Sequence, residues 1–301
     1  MRRLALLTMA LGWALWASLA SAGGVASGKA PEGGQWSDRL IYAILAASIL
    51  AYLGGLVRAV ARAPDRWPVA KWRVACFFGA VAVVEIALLS PLDALADIYF
   101  AAHMGQHLLL MLVAAPLLAV SDAHLIFLRV LPLPMRRSVG SAISRIPGMK
   151  EASYMPAAAW LACGAFAVNL AFWHIPAVYD WALRHPWGHV LEHLTLIIAA
   201  IVVWRMIVTS GRRRLSPAMA VMMVSLIGIQ GAFMGAIISF AQHPLYAAYC
   251  GNSLNDQALA GVMMCIPASL IYLVSSIWAL TKMLRDQPVL RRLGICAPSS
   301  E

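Results

Sequence analysis

The chain has 301 residues, 62 % of them hydrophobic and only 12 % charged, with a mean hydropathy of +0.77. A soluble domain carries about a quarter charged residues, so this composition excludes a soluble globular protein, a disordered chain, a collagen-like fibre and a disulfide-stapled scaffold, and places the protein in a lipid bilayer. The net charge of +10 then has two readings, a nucleic-acid partner or the basic cytoplasmic loops of a membrane protein, and the positions of the basic residues decide between them.

In chain order, Arg2 and Arg3 precede an almost wholly apolar stretch from Leu4 to Leu19, and Ala20-Ser21-Ala22 has the small-x-small form of a signal-peptidase site. This predicts an export signal over residues 1–22, with an uncleaved first span as the alternative, followed by an exposed Gly-rich polar tail over 23–39. A helix crosses the hydrocarbon core with about 20 apolar residues. Segments 40–57, 74–90, 103–120, 157–172, 189–208, 218–240 and 258–280 meet that need or come close to it. They are long and lack the alternation of a barrel strand, so they predict helices. Segment 124–133 is apolar but too short to span; Arg129, Pro132 and Pro134 suit an interfacial piece. The expected fold is an all-α integral membrane protein, with seven transmembrane helices over 40–281 after an N-terminal signal peptide and a cytoplasmic tail over 282–301.

With the amino end outside and the spans alternating, the loops expected inside hold 18 of the 23 basic residues, and the outside segments hold Lys29, Arg39 and Arg184. That asymmetry supports a bacterial inner-membrane protein with its carboxyl end in the cytoplasm. It accounts for the basic charge by the bilayer, with no nucleic acid.

The same topology gathers the histidines. Of the eight, only His124 falls on the cytoplasmic side; His103, His107, His174, His185, His189, His193 and His243 all sit at outer ends of spans. His103 and His107 are four apart and share a helix face, as do His189 and His193. Two such pairs on neighbouring helices would converge four imidazoles, with Met104, Glu192, Asp256 and Gln257 at similar depth. Imidazole suits copper, zinc, iron and nickel, and a nearby thioether favours Cu(I); ionisable groups inside a span signal function. His124, His185 and His243 read as interfacial anchors. Glu85 lies about 7.5 Å inside Ser90 at a rise of about 1.5 Å per residue, placed to relay protons or to orient an imidazole. Asn169 and Gln230 read as interhelical hydrogen bonds, Gly231 and Gly235 as a close-packing GxxxG, and Met219, Met222 and Met223 as gap-filling. Residues 189–193 also fit H-x-x-E-H, an inverted zinc-peptidase signature in which Glu192 would be the base. No substrate-binding element accompanies it.

These residues resemble a known family. His103-Met-Gly-Gln-His107-Leu-Leu-Leu-Met-Leu-Val-Ala-Ala-Pro116 is similar to the signature span of the multi-span CtaG family of cytochrome c oxidase assembly factors, the caa-three type. Ser90-Pro91-Leu92-Asp93 resembles its preceding segment, Trp173-His174-Ile-Pro176-Ala-Val-Tyr179-Asp180 its W-H-x-P-x-x-Y-D loop, and Asp256-Gln257-Ala-Leu-Ala260-Gly261 its D-Q-x-x-A-G. One departure is Ser121-Asp122-Ala123-His124, where the family often has a Gly-Ala-Pro turn. The resemblance implies a non-enzymatic part in building a haem–copper oxidase, plausibly its copper centre, with the oxidase subunits and a periplasmic copper donor as partners. On that reading copper would be held, even transiently, by His103, His107, His189 and His193, with Met104 or His174 assisting and Glu85, Glu192 or Asp256 orienting the rings or neutralising the ion. The alternatives are a membrane haem protein with His107 and His193 as axial ligands, a zinc hydrolase using Glu192, and a structural chaperone whose histidines bond across helices.

Overall fold

A computed structural model describes residues 35–62, 68–145, 156–208, 216–249 and 251–285. The expected export signal, most of the polar tail and the carboxyl-terminal tail beyond 285 lie outside them. The described elements are helices, with no strand among them: α1 (Gln35–Arg62), α2 (Lys71–Leu89), α3 (Pro91–Ala96), α4 (Phe100–Leu108), a π-helical segment (Leu109–Ala114), α5 (Ala115–Ser121), α6 (Ala123–Val130), α7 (Leu133–Arg145), α8 (Pro156–Trp173), α9 (Pro176–Arg184), α10 (Pro186–Val208), α11 (Pro217–Phe240), a 3₁₀ turn (Ala247–Tyr249) and α12 (Leu254–Arg285). Among the described residues, seven stretches are long and apolar enough to cross a bilayer: α1, α2, the continuous run Phe100–Ser121, α8, α10, α11 and α12. They coincide with the seven segments expected from hydropathy.

Local chemistry sets the boundaries. Pro91, Pro176, Pro186 and Pro217 open their helices, where proline has no amide to leave unpaired. The Ser90 and Ser216 hydroxyls accept the amides of Leu92 and Met219 as N-caps. Between α5 and α6 the chain turns on Asp122, at φ 52° and ψ 30°. This is the left-handed conformation that glycine adopts most readily and aspartate tolerates. The Asp122 carboxylate pairs with both Arg73 of α2 and Arg205 of α10. Arg205 also donates to the Ala119 carbonyl at 2.8 Å, and Arg58 of α1 donates to that of Val130. Arginines therefore fasten five helices, α1, α2, α5, α6 and α10, at this end of the bundle, opposite the cluster of His103, His107, His189 and His193.

Packing inside the bundle forms three clusters. One joins the π-helical segment, α5, α8, α10, α11 and α12 around Phe166, Leu196, Val203, Met223 and Ile227. A second seats α6 between α1 and α2 through Ile49, Tyr52, Phe77 and Ile126, with Tyr52 stacked on Phe77 at 3.9 Å. The 124–133 segment is therefore a packed helix; its Ile126 is fully buried while His124 stays exposed. The third cluster, built on Phe100, Met104, Tyr179, Tyr246 and Tyr249, roofs the histidine end. Outward faces stay apolar, as lipid requires: Leu161 is 75 % and Phe240 77 % exposed. Gln230 of α11 donates to the Ala167 carbonyl of α8 at 2.7 Å, an interhelical bond as expected. Asn169 accepts from Trp173 within α8, and Trp173 reaches Thr195 of α10 at 2.8 Å.

Candidate metal centre

α4 projects His103 and His107 from one face, and α10 projects His189 and His193 toward them. The four rings form one aggregate. Ring centroids are 4.5 Å apart for His103–His107, 4.3 Å for His189–His193, 5.1 Å for His103–His189, 5.7 Å for His103–His193 and 5.0 Å for His107–His193. His103 Nε2 and His107 Nε2 lie 3.0 Å apart. Glu192, between the two histidines of α10, is fully buried and sets Oε1 3.5 Å from His107 Nε2. Neither of its oxygens has a hydrogen-bond partner, and His193 Nε2 has none either.

Two sets of side chains bring ligand atoms within 4.8 Å of one another: His103, His107 and His193, and His103, His189 and Glu192. Nitrogens around a tetrahedral ion stand about 3.3 Å apart, given bonds of about 2.05 Å, so small ring rotations would close either set. A carboxylate buried without hydrogen bonds costs several kcal/mol unless a cation compensates it. A carboxyl group so placed rests as the neutral acid until a cation arrives, and imidazoles in mutual contact beside it are a donor set that suits a transition-metal ion, copper among them.

The roof explains why the rings sit where they do. Asp256 of α12 accepts the first amides of α4, Phe100 N at 2.8 Å and Ala101 N at 3.2 Å, and is steadied by Asn252 at 3.0 Å. It caps α4 from across the fold, just ahead of His103. Gln106 is fully buried beside the site and donates to the Ala87 carbonyl at 2.7 Å and to Asp93 at 2.9 Å. That ties α4 to α2 and α3. Asp180 accepts the Ala247 and Ala248 amides at 3.1 and 2.9 Å and so anchors the 3₁₀ turn. From that turn, Tyr249 donates to the Ala96 carbonyl at 2.6 Å and meets His103 Nδ1 at 3.3 Å. Burial pushes the Tyr249 phenol above its ordinary range and keeps the donor proton in place.

These bonds fix the tautomers. Tyr249 gives its proton to Ala96, so it accepts from His103 Nδ1–H. A neutral His103 then carries its lone pair on Nε2 and accepts from His107 Nε2–H. The lone pair of a neutral His107 falls on Nδ1.

Of the other residues expected here, His174 is buried at the end of α8, with Nδ1 2.7 Å from the Leu170 carbonyl. Burial lowers its basicity more than that bond raises it, which keeps the ring neutral. Met104 packs under the tyrosine roof. Glu85 is buried on α2 and belongs to neither converging set. Asp256 acts on the helix carrying the rings, through its backbone. His185 and His243 are exposed at the same end, His185 stacked on Trp181 at 5.2 Å. Sequence reasoning did not single out Tyr249 or Gln106. Tyr246 and Tyr249 at helical spacing after His243 were the available sign.

A cavity of about 570 Å³ runs between α1, α2 and α10. His189 and His193 form part of its wall with Asp38, Asp93 and Asp97, and the rest is mainly apolar. Trp36 and Trp187 meet at 4.2 Å between the starts of α1 and α10.

A seven-helix membrane bundle with a buried imidazole and carboxylate cluster roofed at one end is, by class, a polytopic membrane protein with a candidate metal centre. The family model described as cytochrome c oxidase caa3 assembly factor (Caa3_CtaG) matches residues 50–286, and the chain belongs to that family of oxidase assembly factors. No curated protein and no solved structure gives a significant match.

Proposed function

We propose that the protein serves cytochrome c oxidase assembly by handling copper at His103, His107, His189 and His193, with Glu192 compensating the ion's charge. It does so as a carrier with no catalytic turnover. The observation that carries this reading is the contact of four imidazoles around a buried carboxylate with neither oxygen hydrogen-bonded. The family supplies the process, and an oxidase subunit is the recipient. The basic loops favour a site on the periplasmic side of the inner membrane, where an external copper donor can reach it. The haem reading is less well supported: His107 and His193 meet edge to face at 5.0 Å, with no room for a macrocycle between them. The hydrolase reading needs a water position beside Glu192, which has no exposed surface.

Deleting the protein should abolish activity of a haem–copper oxidase whose subunits are still made. His107→Ala and His193→Ala should do the same while the assembly factor itself persists, and added copper should partly restore them by mass action. Normal oxidase copper content in every histidine variant would overturn the reading. Glu192→Gln should weaken metal affinity by about 10- to 100-fold with partial oxidase activity retained, whereas loss of a hydrolytic base would be absolute.

A further inference from the structure

A second set of metal-ligating side chains lies on the far side of His107. Met104, His107 and Met111 share one face across α4 and the π-helical segment. With His174 of α8 and Met264 of α12 they line a cavity of about 30 Å³. One water or one ion needs about 10–15 Å³. His107 Nδ1 and His174 Nε2 are both buried and both lack a hydrogen-bond partner. Each is a lone pair by the bonding described above: His174 donates Nδ1–H to Leu170, and His107 donates Nε2–H to His103. Thioether sulfur is likewise an acceptor. Leucine, phenylalanine and isoleucine side chains make up most of the remaining wall, so the donors this cavity offers are two imidazole nitrogens and three thioethers, a soft set that selects Cu(I) over harder ions. The local backbone is built for the placement. Met111 lies within the π-helical turn Leu109–Ala114, and Trp204 of α10 donates to its carbonyl at 2.8 Å; single π turns inside α-helices gather at functional sites.

We infer that this cavity is an inner Cu(I) position, ligated by His107 Nδ1, His174 Nε2 and thioethers of Met104, Met111 and Met264. His107 faces the imidazole cluster with Nε2 and the sulfur-lined pocket with Nδ1, and a neutral ring offers one lone pair, so passage of an ion between the two positions requires the His107 proton to move from one ring nitrogen to the other. The inference rests on the metal-handling reading of the cluster and adds to it a buried resting place selective for the reduced ion.

The test is X-ray absorption at the metal edge of the purified protein, loaded anaerobically with one equivalent of Cu(I) or, separately, of Zn(II). Cu(I) should show sulfur neighbours and Zn(II) only nitrogen and oxygen. The triple variant Met104→Leu, Met111→Leu, Met264→Leu keeps side-chain volume and should lose the sulfur signal, with Cu(I) affinity falling at least tenfold. Selenomethionine-labelled wild-type protein gives the same readout without mutation, as selenium scattering from copper. His189→Ala combined with His193→Ala should lose Zn(II) but keep sulfur-ligated Cu(I). A Cu(I) shell of nitrogen and oxygen alone, an unchanged sulfur signal in the triple variant, or absent selenium scattering overturns the inner position. Unchanged Zn(II) binding in the double histidine variant would instead count against the outer cluster.

Discussion

Asp256 shows how far a residue's role can be read before its neighbours are known. The sequence placed it at the depth of the histidines and suggested an electrostatic part in the site. In the fold its oxygens take the amides of Phe100 and Ala101, so its influence on His103 passes through the α4 backbone. Losing an N-cap costs about 1 kcal/mol, whereas asparagine caps nearly as well as aspartate. Both carboxylate oxygens accept here, so Asp256→Ala should lower the thermal midpoint in detergent and weaken metal binding, and Asp256→Asn, which keeps one acceptor and turns an NH2 toward the other amide, should fall between alanine and wild type in both. Wild-type behaviour of Asp256→Asn would mean that one accepted amide is enough to hold the end of α4. The convergence of the four histidine rings was legible because a spacing of four on a helix leaves little freedom about which rings meet. Tyr249 was not, because an irregular loop carries it to His103 across 146 positions of chain, and no periodicity encodes that path.

At the scale of elements, length and hydropathy locate every span, and prolines and serines mark several of the starts. The π-helical turn is invisible to that reading, since α and π backbones use the same residues. Helix contacts were legible in kind but not in partner. Gly231 and Gly235 suggested a GxxxG ridge, yet a Cβ at Gly231 meets nothing within 4 Å. The close approach lies between Gly235 of α11 and Gly261 of α12: a Cβ on Gly261 would stand 2.3 Å from Ser239 Oγ and 2.4 Å from the Gly235 carbonyl. Gly261→Val should therefore force α11 and α12 apart at a cost of about 1–3 kcal/mol or more, read as a lower unfolding midpoint in detergent. Gly231→Ala should be nearly neutral. Equal effects would place the packing seam elsewhere.

For the whole molecule, the basic residues divide the bundle into an arginine-fastened end and a histidine end, and the charge bias predicts which faces the cytoplasm. Alkaline phosphatase fused after residue 180 should be active, and after residue 140 inactive; the reverse would turn the histidines toward the cytoplasm and remove any access for a periplasmic donor. The seven-helix architecture was legible because lipid leaves a helical chain few solutions. The roof was not, since it is held by side chain to backbone bonds between distant loops. One of those bonds sets an order in time. The cap on α4 comes from α12, 156 positions later, so a growing chain inserted span by span carries the first two histidines of the cluster on a helix whose end is still open. The centre is finished only when the last span arrives. A ribosome-bound or truncated chain ending before residue 254 should therefore hold metal poorly, and on the copper-handling proposal a half-made assembly factor would not compete with the oxidase for the ion.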